Sequence, residues 1–142
     1  MKKLNIYVIH GEKFNYKEEF YKPLLLSKIA EHNLILPRTE RYREVYAKDL
    51  INKSDFIIVN LTNATFSVYL ETKWAKKAEK DILFITKNNS KCSFLLNKYK
   101  KQALKYKTIE EEKEIIEQYI KQNLNNLSTE ETDGTINLGS IN

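Results

Sequence analysis

The chain has 142 residues, 42% of them apolar and 30% charged, which suits one packed domain and rules out wholesale disorder. Its single cysteine, Cys92, excludes an internal disulfide framework and a cysteine-cluster metal site. The formal charge of +5 is uneven: residues 125–142 hold Glu130, Glu131 and Asp133 and no basic residue, leaving 24 basic against 16 acidic residues, or +8, on the rest.

Residues 3–10 predict a first strand, with Leu4, Ile6, Tyr7, Val8 and Ile9 mostly apolar and β-prone, ended by Gly11. Residues 16–31 predict a helix with Phe20, Leu24 and Ile29 on one side. Pro23 inside it requires a late start or a kink. Leu34, Ile35 and Leu36 mark a short buried strand over 33–37. A short helix is expected over 41–52 with Val45, Leu50 and Ile51 as apolar contacts. Phe56-Ile57-Ile58-Val59 is the clearest buried strand, within 55–60. A helix over 68–80, a strand over 82–86, a helical turn over 93–98 and a weak strand over 103–106 follow. The last helix, 108–124, opens with a capping box of Thr108 and Glu111 and carries the stripe Ile116, Tyr119, Ile120 and Leu124. Strands and helices thus alternate about five times. That pattern predicts an α/β, flavodoxin-like three-layer sandwich with a five-stranded parallel sheet in order 2-1-3-4-5. The domain spans residues 1–124, and 125–142 reads as an acidic, polar, flexible tail.

No apolar run reaches the roughly 18 residues that span a bilayer, so no membrane partner is expected. Nothing after Met1-Lys2-Lys3 resembles a signal peptide, and the expected location is cytoplasmic. Only Arg38, Arg41 and Arg43 are arginines, and phosphate or base recognition leans on arginine forks. Nucleic acid is therefore not the expected partner; small anionic substrates fit the charge at least as well.

In an open α/β sheet, ligands bind beyond the carboxyl ends of the strands where their order reverses. Between the first and third strands, that places interest on residues 10–15 and 61–68. The first loop has no GxGxxG and no P-loop pattern, but it holds His10, Gly11, Glu12 and Lys13. The second is rich in hydroxyls and runs into a helix N-terminus, which favours anions. At about 100° per residue, Leu70, Trp74 and Ala78 define one face of that helix, with Glu71 and Ala75 beside them and Lys73, Lys76, Lys77 and Lys80 opposite. Glu71 is then the one inward-facing acid, in the first turn. Its plainer reading is a glutamate that caps backbone N–H groups or reaches solvent.

Ile6-Tyr7-Val8, Lys48-Asp49-Leu50 through Ser54-Asp55-Phe56-Ile57-Ile58-Val59, and Thr65-Phe66-Ser67-Val68-Tyr69-Leu70-Glu71 with Trp74-Ala75 together resemble the nucleoside 2-deoxyribosyltransferase superfamily. The nearest likeness is to its 2′-deoxynucleoside 5′-phosphate N-hydrolase branch, across residues 4–120 in element order. The resemblance implies cleavage or transfer at the N-glycosidic bond of a (deoxy)nucleoside or its 5′-monophosphate. It implies a small-molecule ligand, no cofactor or metal, and a homodimer or larger homo-oligomer. It matches Glu71 to the nucleophilic glutamate and Asp49 to an aspartate assisting the leaving base. Tyr7 matches a sugar-pocket tyrosine; Lys13 and Thr65 stand where that branch has a phosphate-binding arginine and serine. His10, Gly11, Ser67 and Tyr69 belong to the same expected substrate-binding set. Ser67 and Tyr69 replace two glycines of the usual loop, and Lys73 replaces another.

A carboxylate suits this chemistry: it stabilises an oxocarbenium-like carbon or attacks it to form a glycosyl-enzyme. His10, at a strand end, reads as a hydrogen-bonding structural residue, with direct action on the substrate as the alternative. Trp74 reads as core or dimer contact, and Tyr42 and Tyr46 as possible covers for a base. Two other functions fit the sequence. One is a nucleotide-binding sensor with weakened turnover, motivated by the replaced glycines; the other is a TIR-like domain directed at NAD.

Overall fold

Alternate side chains of a strand point to opposite faces, and a parallel sheet needs cover on both. The computed structural model describes the backbone of residues 3–42 and 44–136, with side chains as far as residue 123. Strands β1 (Asn5–His10), β2 (Asn33–Ile35), β3 (Phe56–Asn60), β4 (Asp81–Lys87) and β5 (Leu104–Tyr106) form one parallel sheet in order β2-β1-β3-β4-β5. This is the flavodoxin-like order expected. Tyr7 pairs with Ile35 on one side and Ile57 on the other, and His10 with Asn60.

One face of the sheet, with Ile6, Val8, Ile58 and Ile85, packs against Leu24 of α1 (Lys22–Leu25), Phe20 of the turn before it, and Ile116 and Ile120 of α5 (Ile109–Ile136). The other face, with Tyr7, Ile9, Ile57 and Val59, packs against Leu50, Ile51, Val68, Ala75 and Tyr99. These come from α2 (Ala47–Lys53), α3 (Phe66–Lys77) and α4 (Asn97–Gln102). Each fully buried Ile or Leu stabilises this arrangement by roughly 1.5–3 kcal/mol through apolar area removed from water.

Three elements depart from expectation. The helix over 16–31 is broken into a π-helical turn (Lys17–Tyr21), α1 and a 3₁₀ turn (Lys28–Glu31). The Lys22 N–H bonds Lys17 O, five residues back, and Pro23 follows with no N–H to place. The helix over 41–52 is a 3₁₀ turn (Glu40–Tyr42) followed by α2, because Tyr46 is extended, with ψ 138°, and caps a later start. Val45 is consequently exposed, not a core contact. The last helix opens on the expected capping box, with Glu111 N–H donating to Thr108 Oγ1 at 3.1 Å and Thr108 N–H to Glu111 Oε1 at 3.3 Å. Its backbone continues to Ile136, past the expected end at residue 124. The expectation of a loosely held tail concerns side chains outside the described residues.

Candidate active site

β1 ends at the sheet's carboxyl edge, and Tyr7 points from it toward the α2–α3 layer. α3 begins at Phe66, two residues earlier than expected, so Glu71 lies in the second turn and not the first. The buried face of α3 is Val68, Thr72 and Ala75. Leu70 and Trp74, expected to lead that face, are only half-buried, and Trp74 packs against the edge of the same core. Glu71 sits three residues after Val68 and four before Ala75, and therefore flanks the true inward face.

There the Tyr7 hydroxyl donates to Glu71 Oε1 at 2.8 Å across 64 residues of sequence. Both line a hollow of about 130 Å³, together with His10, Arg38, Tyr42 and Leu50. Burial pushes the Glu71 carboxyl above its ordinary range, while the Tyr7 hydrogen bond and the positive charge of Arg38 pull it back. Burial, and then the neighbouring Glu71 charge, raise the Tyr7 phenol, so Tyr7 remains a donor.

His10 uses both ring nitrogens internally. Gly11 O can only accept, so Nδ1–H donates to it at 2.8 Å; Nε2 then accepts from the Tyr21 hydroxyl at 2.6 Å. Tyr21 in turn accepts the Arg38 backbone N–H at 3.1 Å. Burial lowers the His10 imidazole to about 4, so the ring is neutral at physiological pH. Its ring packs among Phe14, Tyr16, Phe20 and Tyr21. His10 thus borders the hollow while fastening the loops around it. Gly11 is buried against the β3–α3 loop, where an added Cβ would lie 3.4 Å from Ala64 Cα.

The remaining matched residues lie elsewhere. Asp49 is exposed in the first turn of α2, beside the buried Leu50 and Ile51 but on the solvent side, and does not line the hollow. The structure therefore gives no support within one subunit to its expected role at the leaving base. Lys13 and Thr65 are exposed and border a second hollow of about 440 Å³ with Asn63, Lys91 and Ser93. Asn63, at φ 49°, donates to Lys13 O at 3.0 Å and ties the β1 loop to the start of α3. The Thr65 hydroxyl makes no cap bond. Ser67 and Tyr69 occupy ordinary helical positions, neither with positive φ. Tyr69 packs beside Phe66, with Lys73 Nζ 5.5 Å from its ring centre, outside the Glu71 hollow.

Sequence reasoning missed Arg38 and the β2–α2 connection. The available signal was an arginine directly beyond a short strand, at the carboxyl edge where ligands bind. Among the described residues no three His, Cys, Asp or Glu side chains converge as a metal site, and no helix is long and apolar enough to cross a membrane.

No protein-family model matches the sequence, and no curated protein matches it. Among solved structures, the fold is shared with the CMP N-glycosidase BcmB of Clostridium botulinum at a TM-score of 0.58 and 13% identity. The superposition covers 81% of this chain and 98% of that one.

Proposed function

We propose that this protein acts on the N-glycosidic bond of a nucleoside or nucleoside 5′-monophosphate, by hydrolysis or sugar transfer, with Glu71 as nucleophile. The 2.8 Å contact between Tyr7 and Glu71 in a hollow at the carboxyl edge of the sheet carries this reading. It is supported by a fold shared with a CMP N-glycosidase. Tyr7 orients one carboxylate oxygen and leaves the other for the anomeric carbon. As the bond to the base breaks, the carboxylate meets the developing positive charge; water or an acceptor base then releases the sugar.

The hollow has the scale of a sugar ring, so base and phosphate extend beyond it. Lys13, Lys91 and the unengaged Thr65 hydroxyl, at the start of α3, are the proposed phosphate contacts. A second subunit would complete the base side, and a homodimer is the proposed assembly. Phe66, 55% exposed, and the half-buried Leu70 of α3 supply apolar surface for it. A binding module with slow turnover is the second reading. It is favoured by Glu71 being the only acid among the described residues lining the hollow, so that no second carboxyl there protonates the base.

The test is release of free base from CMP, dCMP and other monophosphates, their nucleosides and NAD, with Glu71→Gln as control. Base release from a monophosphate, lost in Glu71→Gln, is the expected result. Tight binding without release favours the sensor, and release from NAD alone overturns the substrate class.

A further inference from the structure

Glu71 presents a chemical problem that Tyr7 alone does not solve. A nucleophilic carboxylate must be ionised, yet this one is half-buried beside Tyr7, Leu50 and the neutral His10 ring. The groups around it are two phenols that stay protonated, Tyr7 on β1 and Tyr21 on the following turn, the neutral imidazole of His10, the guanidinium of Arg38, and the Tyr42 side chain across the hollow. Arg38 is the one cationic side chain among the described residues that line the hollow.

Arg38 is also held at two points. Its backbone N–H donates to the Tyr21 hydroxyl, which is itself fixed by His10 Nε2 at 2.6 Å. Its guanidinium meets Glu12 from the β1 loop, Nη1 to Oε1 at 3.0 Å. Both partners of that ion pair are largely solvated, so the pair contributes little to stability. What it does is restrict a long side chain to the rim of the hollow. The aromatic cluster around His10, otherwise a puzzling use of a histidine beside a pocket, then serves to register the Arg38 backbone.

We propose that Arg38 is the positioning residue of the Glu71 carboxylate, supplying from the β2–α2 connection the positive charge that the hollow otherwise lacks. The proposal rests on Glu71 being the nucleophile, but it can be read without turnover. Protein labelled with ¹³C at glutamate carboxyls is titrated by NMR, with Glu71 assigned from Glu71→Gln. In Arg38→Gln the Glu71 midpoint is expected to rise; in Arg38→Lys, which keeps the charge, it should return most of the way to wild type. On a substrate that wild type cleaves, Arg38→Gln should lower kcat/KM about tenfold on the acid side of the profile and much less at alkaline pH. A purely structural role would lower activity equally at every pH. An unchanged Glu71 midpoint in folded Arg38→Gln, or an equal rise in both variants, overturns the proposal. If wild type releases no base, the proposed function fails while the titration still decides the role of Arg38.

Discussion

Among the described residues, two glutamates each bring a helix against a tyrosine of a strand, on opposite faces of the sheet. Glu71 of α3 accepts from Tyr7 of β1 beside an open hollow. Glu112 of α5 is fully buried beside Tyr106 of β5, and its Oε2 accepts from Asn60 Nδ2 of β3 at 3.3 Å. The Asn60 amide reaches the Tyr106 hydroxyl at 3.0 Å, while Thr62 takes the Lys87 N–H at 2.9 Å and lies 3.3 Å from that same hydroxyl. Glu112 Oε1 has no partner, and burial raises its carboxyl to about 8. Similar parts therefore do different things. A cation and a cavity beside Glu71 favour an ionised, reachable carboxylate. Fully buried, and with Lys87 paired to Glu19, Glu112 is a neutral joint between α5 and the sheet's carboxyl edge.

The sharpest test of this contrast is exchange to glutamine. Glu71→Gln should reduce base release by on the order of 10³-fold or more with Tm little changed, since shape is kept and only the proposed nucleophile is lost. Truncation at the other pair should do the reverse. Glu112→Ala should lower stability by about 2–4 kcal/mol in denaturant unfolding, through a cavity and the orphaned Asn60 N–H. Activity of the protein that remains folded should be retained.

The buried pair also predicts a pH dependence. The folded carboxyl at about 8 lies above its ordinary 4.5, so the folded state holds the proton more tightly. Its contribution is fully present below pH 4.5, declines as pH rises, and is lost above 8. Unfolding curves across that range should show this fall in wild type and its loss in Glu112→Gln. A smaller effect is expected at the second hollow. Lys13→Ala should weaken a monophosphate several-fold while leaving its parent nucleoside unaffected in calorimetry, as loss of one exposed charge contact would. The smallest concerns Tyr69. Its ring lies away from Glu71, so Tyr69→Gly should leave ligand affinity unchanged and cost about 1 kcal/mol of helix propensity. A gain in affinity would show that the ring does crowd the substrate.

Much of this architecture was legible in one dimension. Apolar runs such as Phe56-Ile57-Ile58-Val59 identify strands buried on both faces, and Thr108 with Glu111 marks the start of α5, because these signals depend on neighbours within a few residues. Glu71 could be singled out as an inward acid from helical spacing. The face itself was misjudged. Leu70 and Trp74 are the more apolar residues, yet Val68, Thr72 and Ala75 are buried, since the tight approach of α3 to the sheet favours small side chains.

Strand order and the presence of an acid on α3 therefore follow from the sequence alone, through local periodicity and the rules of parallel sheets. The partners of that acid do not. Tyr7 is 64 residues from Glu71, and Arg38 enters from a connection whose helix starts later than its pattern implies. Such meetings depend on which helix packs over which strands and at what depth, and no periodicity along the chain encodes that distance.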